Sequence, residues 1–213
     1  MFPSLGVPLT NSTHFQSVTD HSGMPLLSDP PTDEVTRTAC VMLGRALYVA
    51  SGFEDDCRSL AFVLKVREPQ PEGQSDDEFF TAVSKAVLGR LVDLNKLIAC
   101  RAKLKEDYAE MLHTARDARN YIAHEATGDF EHLMKVPGGY GQWQSALASK
   151  LEEVAFGRII VAVLLSRNSA EVAPTQEVID AYPKIVESWV FASDAQPCGQ
   201  PDLAHKAAQG RLP

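Results

Sequence analysis

The stretch Arg116-Asp-Ala-Arg-Asn-Tyr-Ile-Ala-His124 closes a helix whose apolar residues share one face. That face is built from residues three or four positions apart: Leu104, Tyr108, Met111, Ala115, Ala118 and Ile122. A helix turns by about 100° per residue, so the centre of this face lies about 180° from Asn120. Four polar residues fall within about 60° of Asn120: His113, Arg116, Asp117 and His124. We expect this polar face to be either a solvated surface or a site that a second copy of the chain completes.

Apolar residues at helical spacing continue on both sides of this stretch, and no long segment alternates at period two as a strand does. The predicted helices cover about 32–50, 53–64, 75–98, 103–126, 143–166 and 175–189. We therefore expect an all-α, up-down helical bundle of five to six helices joined by short connections.

Local signals predict where these helices begin and end. Ser51-Gly52 predicts a break or kink between the first two helices, and Ser75-Asp-Asp-Glu78 is a capping box that opens the third. Residues 127–141, with Pro137-Gly-Gly-Tyr-Gly141, are predicted to be a connecting loop. That loop lacks the Gly-Lys-Ser/Thr ending of a phosphate-binding P-loop. In the last helix, Pro183 is expected to cause a kink or to begin a second half.

The fifth predicted helix is apolar on nearly all sides from Val154 to Leu165, so we expect it to be the central buried helix. Arg158 interrupts that run and needs either a charged partner or a path to solvent. The two tryptophans, Trp143 and Trp189, are expected to be core or interface residues rather than platforms for a ligand.

Composition divides the chain into three predicted segments. Residues 1–31 are rich in Pro, Ser, Thr and Gly and are expected to form a flexible N-terminal arm. Residues 32–192 carry the helical pattern and form the predicted domain, and residues 193–213 are expected to be a disordered C-terminal tail.

Charge and cysteine content limit the possible functions. The net charge of −8 over 213 residues argues against broad, sequence-independent attraction to nucleic acid, although a small basic site for RNA remains compatible with it. We find no membrane-spanning run and no signal peptide. Cys40, Cys57 and Cys100 lie in apolar helical patterns and are expected to act as small hydrophobes, while Cys198 lies in the tail. We therefore expect a cytoplasmic protein without a metal site or a cofactor.

The segment Arg119-Asn-Tyr-Ile-Ala-His124 resembles the signature of the HEPN domain superfamily, in which an arginine and a polar residue precede a histidine near the end of a late helix. Arg119, Asn120 and His124 occupy those three places. The stretch Gly44-Arg-Ala-Leu-Tyr-Val-Ala-Ser-Gly-Phe-Glu54 also resembles the early helix pair of some bacterial members. The resemblance in fold covers about residues 32–168.

This resemblance implies a homodimer with a shared cleft and a metal-independent endoribonuclease activity, of the kind found in toxin–antitoxin systems and phage defence. It implies catalytic roles for Arg119, Asn120 and His124, and an RNA substrate. An antitoxin or another protein is a possible partner. Other members of the superfamily are inactive, so the alternative is a helical module that binds a protein partner or a nucleotide.

The residue types suit RNA cleavage without a metal. Histidine titrates near neutral pH and can take a proton from the 2′-hydroxyl or give one to the leaving oxygen. Arginine offers a planar donor fork that matches phosphate, and asparagine can orient phosphate or histidine. Arg119 and His124 are five residues apart and diverge by about 140° on a straight helix. Arg116, about 80° from His124, could therefore share or replace the phosphate-binding role.

Three further residues accompany this predicted site, each with a simpler interpretation. Tyr121 could stack on a base or pack at an interface. Asp117 could orient an imidazole, but a surface acid is the more common role. Glu110 and His113 have the spacing of a di-iron ligand pair, although no second such pair occurs on a predicted helix.

Overall fold

The computed structural model describes residues 33–169 and 172–192, and every regular element in these ranges is an α-helix. Seven helices are described: α1 (Glu34–Val66), α2 (Asp76–Val87), α3 (Leu91–Arg101), α4 (Glu106–His124), α5 (Ala126–Leu133), α6 (Gly139–Asn168) and α7 (Gln176–Val190). The predicted all-α helical bundle is confirmed, with more helices than expected. The predicted arm 1–31 and tail 193–213 lie outside the described residues. The packing below is that of the unit that begins at Thr38.

Helix α1 is a single helix of 33 residues, so the predicted break at Ser51-Gly52 is wrong. Gly52 serves packing instead of ending the helix. A Cβ at Gly52 would lie 3.2 Å from the guanidinium carbon of Arg158 on α6. Arg158 Nε donates to Asp56 Oδ2 at 2.8 Å, and its guanidinium lies 5.8 Å from the ring centre of Tyr182. The prediction that Arg158 needs a partner is thus confirmed, and the partner lies on α1.

Helix α6 contributes many of the buried core residues, but Phe156 and Ala162 are exposed, so the predicted burial on nearly all sides is only partly confirmed. At Gly157, helix α6 packs closely against α4. A Cβ at this position would lie 2.4 Å from Ala115 Cβ and 2.9 Å from Phe53 Cε2, so only glycine fits without a shift. Trp143 is fully buried, and its indole N–H donates to the carbonyl oxygen of Ala126 at 2.9 Å. Its predicted core role is confirmed. Trp189 is half-buried and meets the ring of Tyr48 edge-on.

Two other connections differ from the prediction. The third predicted helix is in fact two helices, α2 and α3, because α2 ends at Val87 and Leu88 forms its C-terminal cap. The capping box of Ser75 and Glu78 that opens α2 is confirmed. The predicted loop 127–141 contains helix α5, whose Phe130 packs edge-on against Trp143 with ring centres 5.0 Å apart. Helix α7 runs through Pro183 as one element.

The apolar face of α4 is only partly the predicted one. Ala115, Ala118 and Ile122 are buried as predicted. In the first half of the helix, Tyr108 and Met111 are exposed, at 49% and 37%. Leu112 is fully buried there and was not predicted, and its carbonyl oxygen accepts a 2.7 Å hydrogen bond from the buried Asn95 side chain.

The described cysteines differ in their exposure to solvent. Cys57 is buried, and its thiol lies 3.7 Å from the side-chain oxygen of Asn95. Cys40 and Cys100 are exposed, so neither packs in the core as a small hydrophobe would. Cys198 lies outside the described residues. Among the helices that the structure describes, none has the length and apolar content that crossing a membrane requires.

Candidate functional site

An open groove of about 540 Å³ lies beside the second half of α4. Eight residues from three helices line it: Glu54 of α1, Arg90, Leu91 and Val92 at the start of α3, and Arg116, Asp117, Arg119 and Asn120 of α4. Four of the predicted site residues therefore share one concave surface. The lining holds three arginines and two carboxylates, which leaves one net positive charge in a chain whose net charge is −8.

Arg119 forms the wall of the groove towards α1. Its guanidinium is ion-paired with Glu54, whose carboxylate also pairs with Arg58 one turn further along α1. Arg119 Nη1 donates to Asn120 Oδ1 at 3.2 Å, while Nε is buried without a hydrogen-bond partner. The side chain is 21% exposed. Arg119 is thus held in one position by two neighbours, with part of its guanidinium open to the groove.

Arg116 is held by different neighbours. Its Nε and Nη2 donate to Asp117 Oδ1 at 2.8 and 2.6 Å. Nη1 lies 3.5 Å from Nδ1 of His113, which is half-buried. Asp117 is 64% exposed and is paired with Arg116.

His124 and Tyr121 are absent from the lining of this groove. His124 is the last residue of α4 and is exposed to solvent. Tyr121 is half-buried, and its hydroxyl donates to Asp129 Oδ2 on α5 at 2.8 Å. Burial raises the pKa of Tyr121, and the bond to Asp129 adds to this shift. Within one chain, the motif is thus divided between Arg119 and Asn120 in the groove and His124 outside it.

Four groove residues were not predicted as site residues from the sequence, namely the charged Glu54 and Arg90 and the apolar Leu91 and Val92. Glu54 lies beside the apolar face of α1, and only the three-dimensional fold shows that this part of α1 faces Arg119. Arg90 precedes the first residue of α3 and forms the N-terminal cap position of that helix. The prediction joined α2 and α3 into one helix, so it placed Arg90 in a helix interior and gave it no role.

The arrangement of possible metal ligands is the next feature of the site. The part of the chain that the structure describes contains no group of three His, Cys, Asp or Glu side chains able to hold one ion. In the pair with di-iron spacing, Glu110 is exposed, and His113 lies next to the guanidinium of Arg116. A positive charge at 3.5 Å opposes a cation at that imidazole.

Comparison with known proteins returned no match among protein-family models, curated proteins or solved structures. The resemblance to the HEPN superfamily accordingly depends on the motif residues and their placement in the helical bundle.

Proposed function

We propose that this protein is a HEPN-like homodimeric endoribonuclease that cleaves RNA without a metal ion. One observation carries the proposal. Arg119 and Asn120, the first two residues of the motif, line an open groove together with two more arginines, while His124 lies exposed at the end of the same helix. A phosphate-binding surface and a histidine with solvent access are the two parts that the reaction needs.

The residues fit the steps of RNA transesterification. The 2′-oxygen attacks the adjacent phosphorus, the bond to the 5′-oxygen breaks, and the products are a 2′,3′-cyclic phosphate and a 5′-hydroxyl. One imidazole takes the 2′-hydroxyl proton, and a second gives a proton to the leaving oxygen. Arg119 donates to the charged phosphorane, and Asn120 donates from the adjacent position. A two-fold axis supplies the second His124 from the other protomer.

A groove with one net positive charge suits this activity in an acidic protein. The surrounding negative charge discourages extended duplex binding along the surface. It leaves a local site where a short piece of single-stranded RNA can meet three guanidinium groups. Growth arrest on expression, or protection against phage, is the biological role that we attach to this activity.

The alternative function is an inactive module that binds a protein partner or a nucleotide. The ion pair between Arg119 and Glu54 favours it, because a guanidinium held by a carboxylate of its own chain is less available to phosphate. Under this alternative the groove is a recognition surface, and His124 has no chemical role.

The decisive experiment compares His124→Ala with His132→Ala on single-stranded RNA in the presence of EDTA. His132 is an exposed histidine on α5 outside the groove, which makes it a matched control. We expect wild type and the control variant to cleave, and His124→Ala to lose about 100-fold or more of the rate. The products should carry 2′,3′-cyclic phosphate ends. Light scattering during size-exclusion chromatography should give the same dimer mass for all three proteins.

Two results count against the enzyme. If wild type and His124→Ala leave every RNA equally intact, the binding-module alternative is the better account. If the wild-type protein is a monomer at all concentrations tested, the composite site does not exist.

A further inference from the structure

Arg90 is the only arginine of the groove that comes from outside α4. It occupies the N-terminal cap position of α3, but its side chain makes no capping hydrogen bond. Its side chain is 82% exposed, and Nε donates to Asp93 Oδ2 at 3.1 Å. That contact uses one of its five N–H donors, so the terminal nitrogens are available to an anion in the groove.

Arg90 differs from the other two arginines in this respect. Arg119 is held by Glu54, and Arg116 gives both Nε and Nη2 to Asp117. Both are fixed on α4 and have limited freedom. Arg90 projects from a different helix on a long and exposed side chain, so it can follow a flexible ligand along the groove.

We propose that Arg90 holds a phosphate of single-stranded RNA next to the phosphate that is cleaved, so that the RNA backbone crosses the groove from α4 to the start of α3. This inference rests on the proposed ribonuclease function and adds a substrate-binding residue to it. Leu91 and Val92 lie beside Arg90 and give the groove an apolar wall against which a base can pack. A volume of about 540 Å³ accommodates one or two nucleotides rather than a duplex.

An arginine that contacts only phosphate gives affinity without sequence preference. Loss of one such contact to a single strand reduces the slope of log affinity against log salt by about 0.7. Arg90→Gln should therefore weaken binding by about threefold to fivefold for all sequences alike, as expected for one exposed charged contact. The charge-preserving Arg90→Lys should keep the salt slope of the wild type.

The test uses fluorescence anisotropy of the full chain with a labelled 2′-O-methyl RNA between about 50 and 200 mM salt. The blocked 2′-oxygen prevents cleavage, so binding is measured apart from catalysis. Arg101→Gln is the matched control. Arg101 is the last residue of the same helix, is also exposed and is also ion-paired, with Glu68 at 3.0 Å, but lies outside the groove.

Cleavage of ordinary RNA by the same variants separates the two proposals. The expected result is a higher KM for Arg90→Gln with kcat nearly unchanged, and no change for Arg101→Gln. If RNA is cleaved but Arg90→Gln and Arg101→Gln have the same affinity and salt slope as wild type, the role of Arg90 is overturned and the ribonuclease proposal stands. If no RNA is cleaved but Arg90→Gln alone weakens binding, the ribonuclease proposal fails and Arg90 remains a phosphate contact of a binding module.

Discussion

Replacing Gly157 with alanine tests how closely α4 and α6 pack. A Cβ at Gly157 would lie 2.4 Å from Ala115 Cβ, whereas carbon atoms in good contact are about 3.5–4.0 Å apart. Ala115 Cβ is attached directly to the α4 backbone and cannot rotate away. The two helices must therefore separate by about 1 Å, and the ring of Phe53, 2.9 Å from the same Cβ, must shift as well.

Two opposing effects set the size of the change. Alanine is a better helix former than glycine by about 0.5–1 kcal/mol. Overfilling a packed core costs about 1–3 kcal/mol. Because the Cβ of Ala115 is fixed to the backbone, we expect the cost of overfilling to lie in the upper part of its range. After the gain in helix propensity is subtracted, Gly157→Ala should lower the free energy of unfolding by about 1–2 kcal/mol.

The matched control is Gly44→Ala in α1. Gly44 also lies inside a long helix, but it is exposed and a Cβ there would meet nothing within 4 Å. The Gly44→Ala variant should therefore be more stable than wild type by about 0.5–1 kcal/mol in the free energy of unfolding, because only the difference in helix propensity between alanine and glycine contributes. Urea denaturation followed by far-ultraviolet circular dichroism gives all three free energies by linear extrapolation.

A double-mutant cycle with Ala115→Gly identifies the contact. Moving the methyl group from α4 to α6 removes the shortest contact, so Gly157→Ala should cost less in the Ala115→Gly background than in wild type. If Gly157→Ala stabilises the protein as much as Gly44→Ala does, the helices do not approach as closely as described.

The remaining predictions concern two residues of α1, the half-buried Glu54 of the groove and the buried Cys57. Glu54→Gln removes the charge from the acceptor shared by Arg58 and Arg119 and should lower the free energy of unfolding by about 1–3 kcal/mol in urea denaturation. Asp55→Asn, at a 73% exposed carboxylate, should change it by less than about 0.5 kcal/mol, and equal effects would refute a special role for Glu54. Burial raises the pKa of the Cys57 thiol, so above about pH 8.5 the unfolded chain loses a proton that the folded chain keeps. Stability should therefore be complete below that pH and fall above it by up to about 1.4 kcal/mol per pH unit, and Cys57→Ala should flatten this slope between about pH 8.5 and 9.5.

Helical periodicity predicts the fold class because each helix must turn one apolar face to a common core. It predicts boundaries poorly where distant residues decide them. Gly52 looks like a helix break in sequence, yet it makes room for Arg158, which lies far along the chain on α6. Helix α5 looks like a loop in sequence because it is short, contains Gly128 and is followed by Gly138 and Gly139, but Phe130 packs it against Trp143.

The site shows the same division between local and distant information. One helix is enough to predict that Arg116, Asp117 and Asn120 share a face, because their spacing fixes their directions. Arg119 was expected to diverge from that face, and the structure turns it towards Glu54 on α1. Which helix lies opposite depends on tertiary packing, so neither Glu54 nor Arg90 could be inferred from the sequence of α4.

The five-residue separation of Arg119 and His124 has a consequence for mechanism. On one rigid helix the two side chains diverge by about 140°, and the structure places one beside Glu54 and the other in solvent. Arg119 and His124 of one α4 thus point to different sides of that helix. The proposed reaction uses two imidazoles, and because each chain brings one His124, a two-fold axis must supply the second. An interface variant that is monomeric yet cleaves RNA at the wild-type rate would mean that the second proton-transfer group is not the His124 of another protomer.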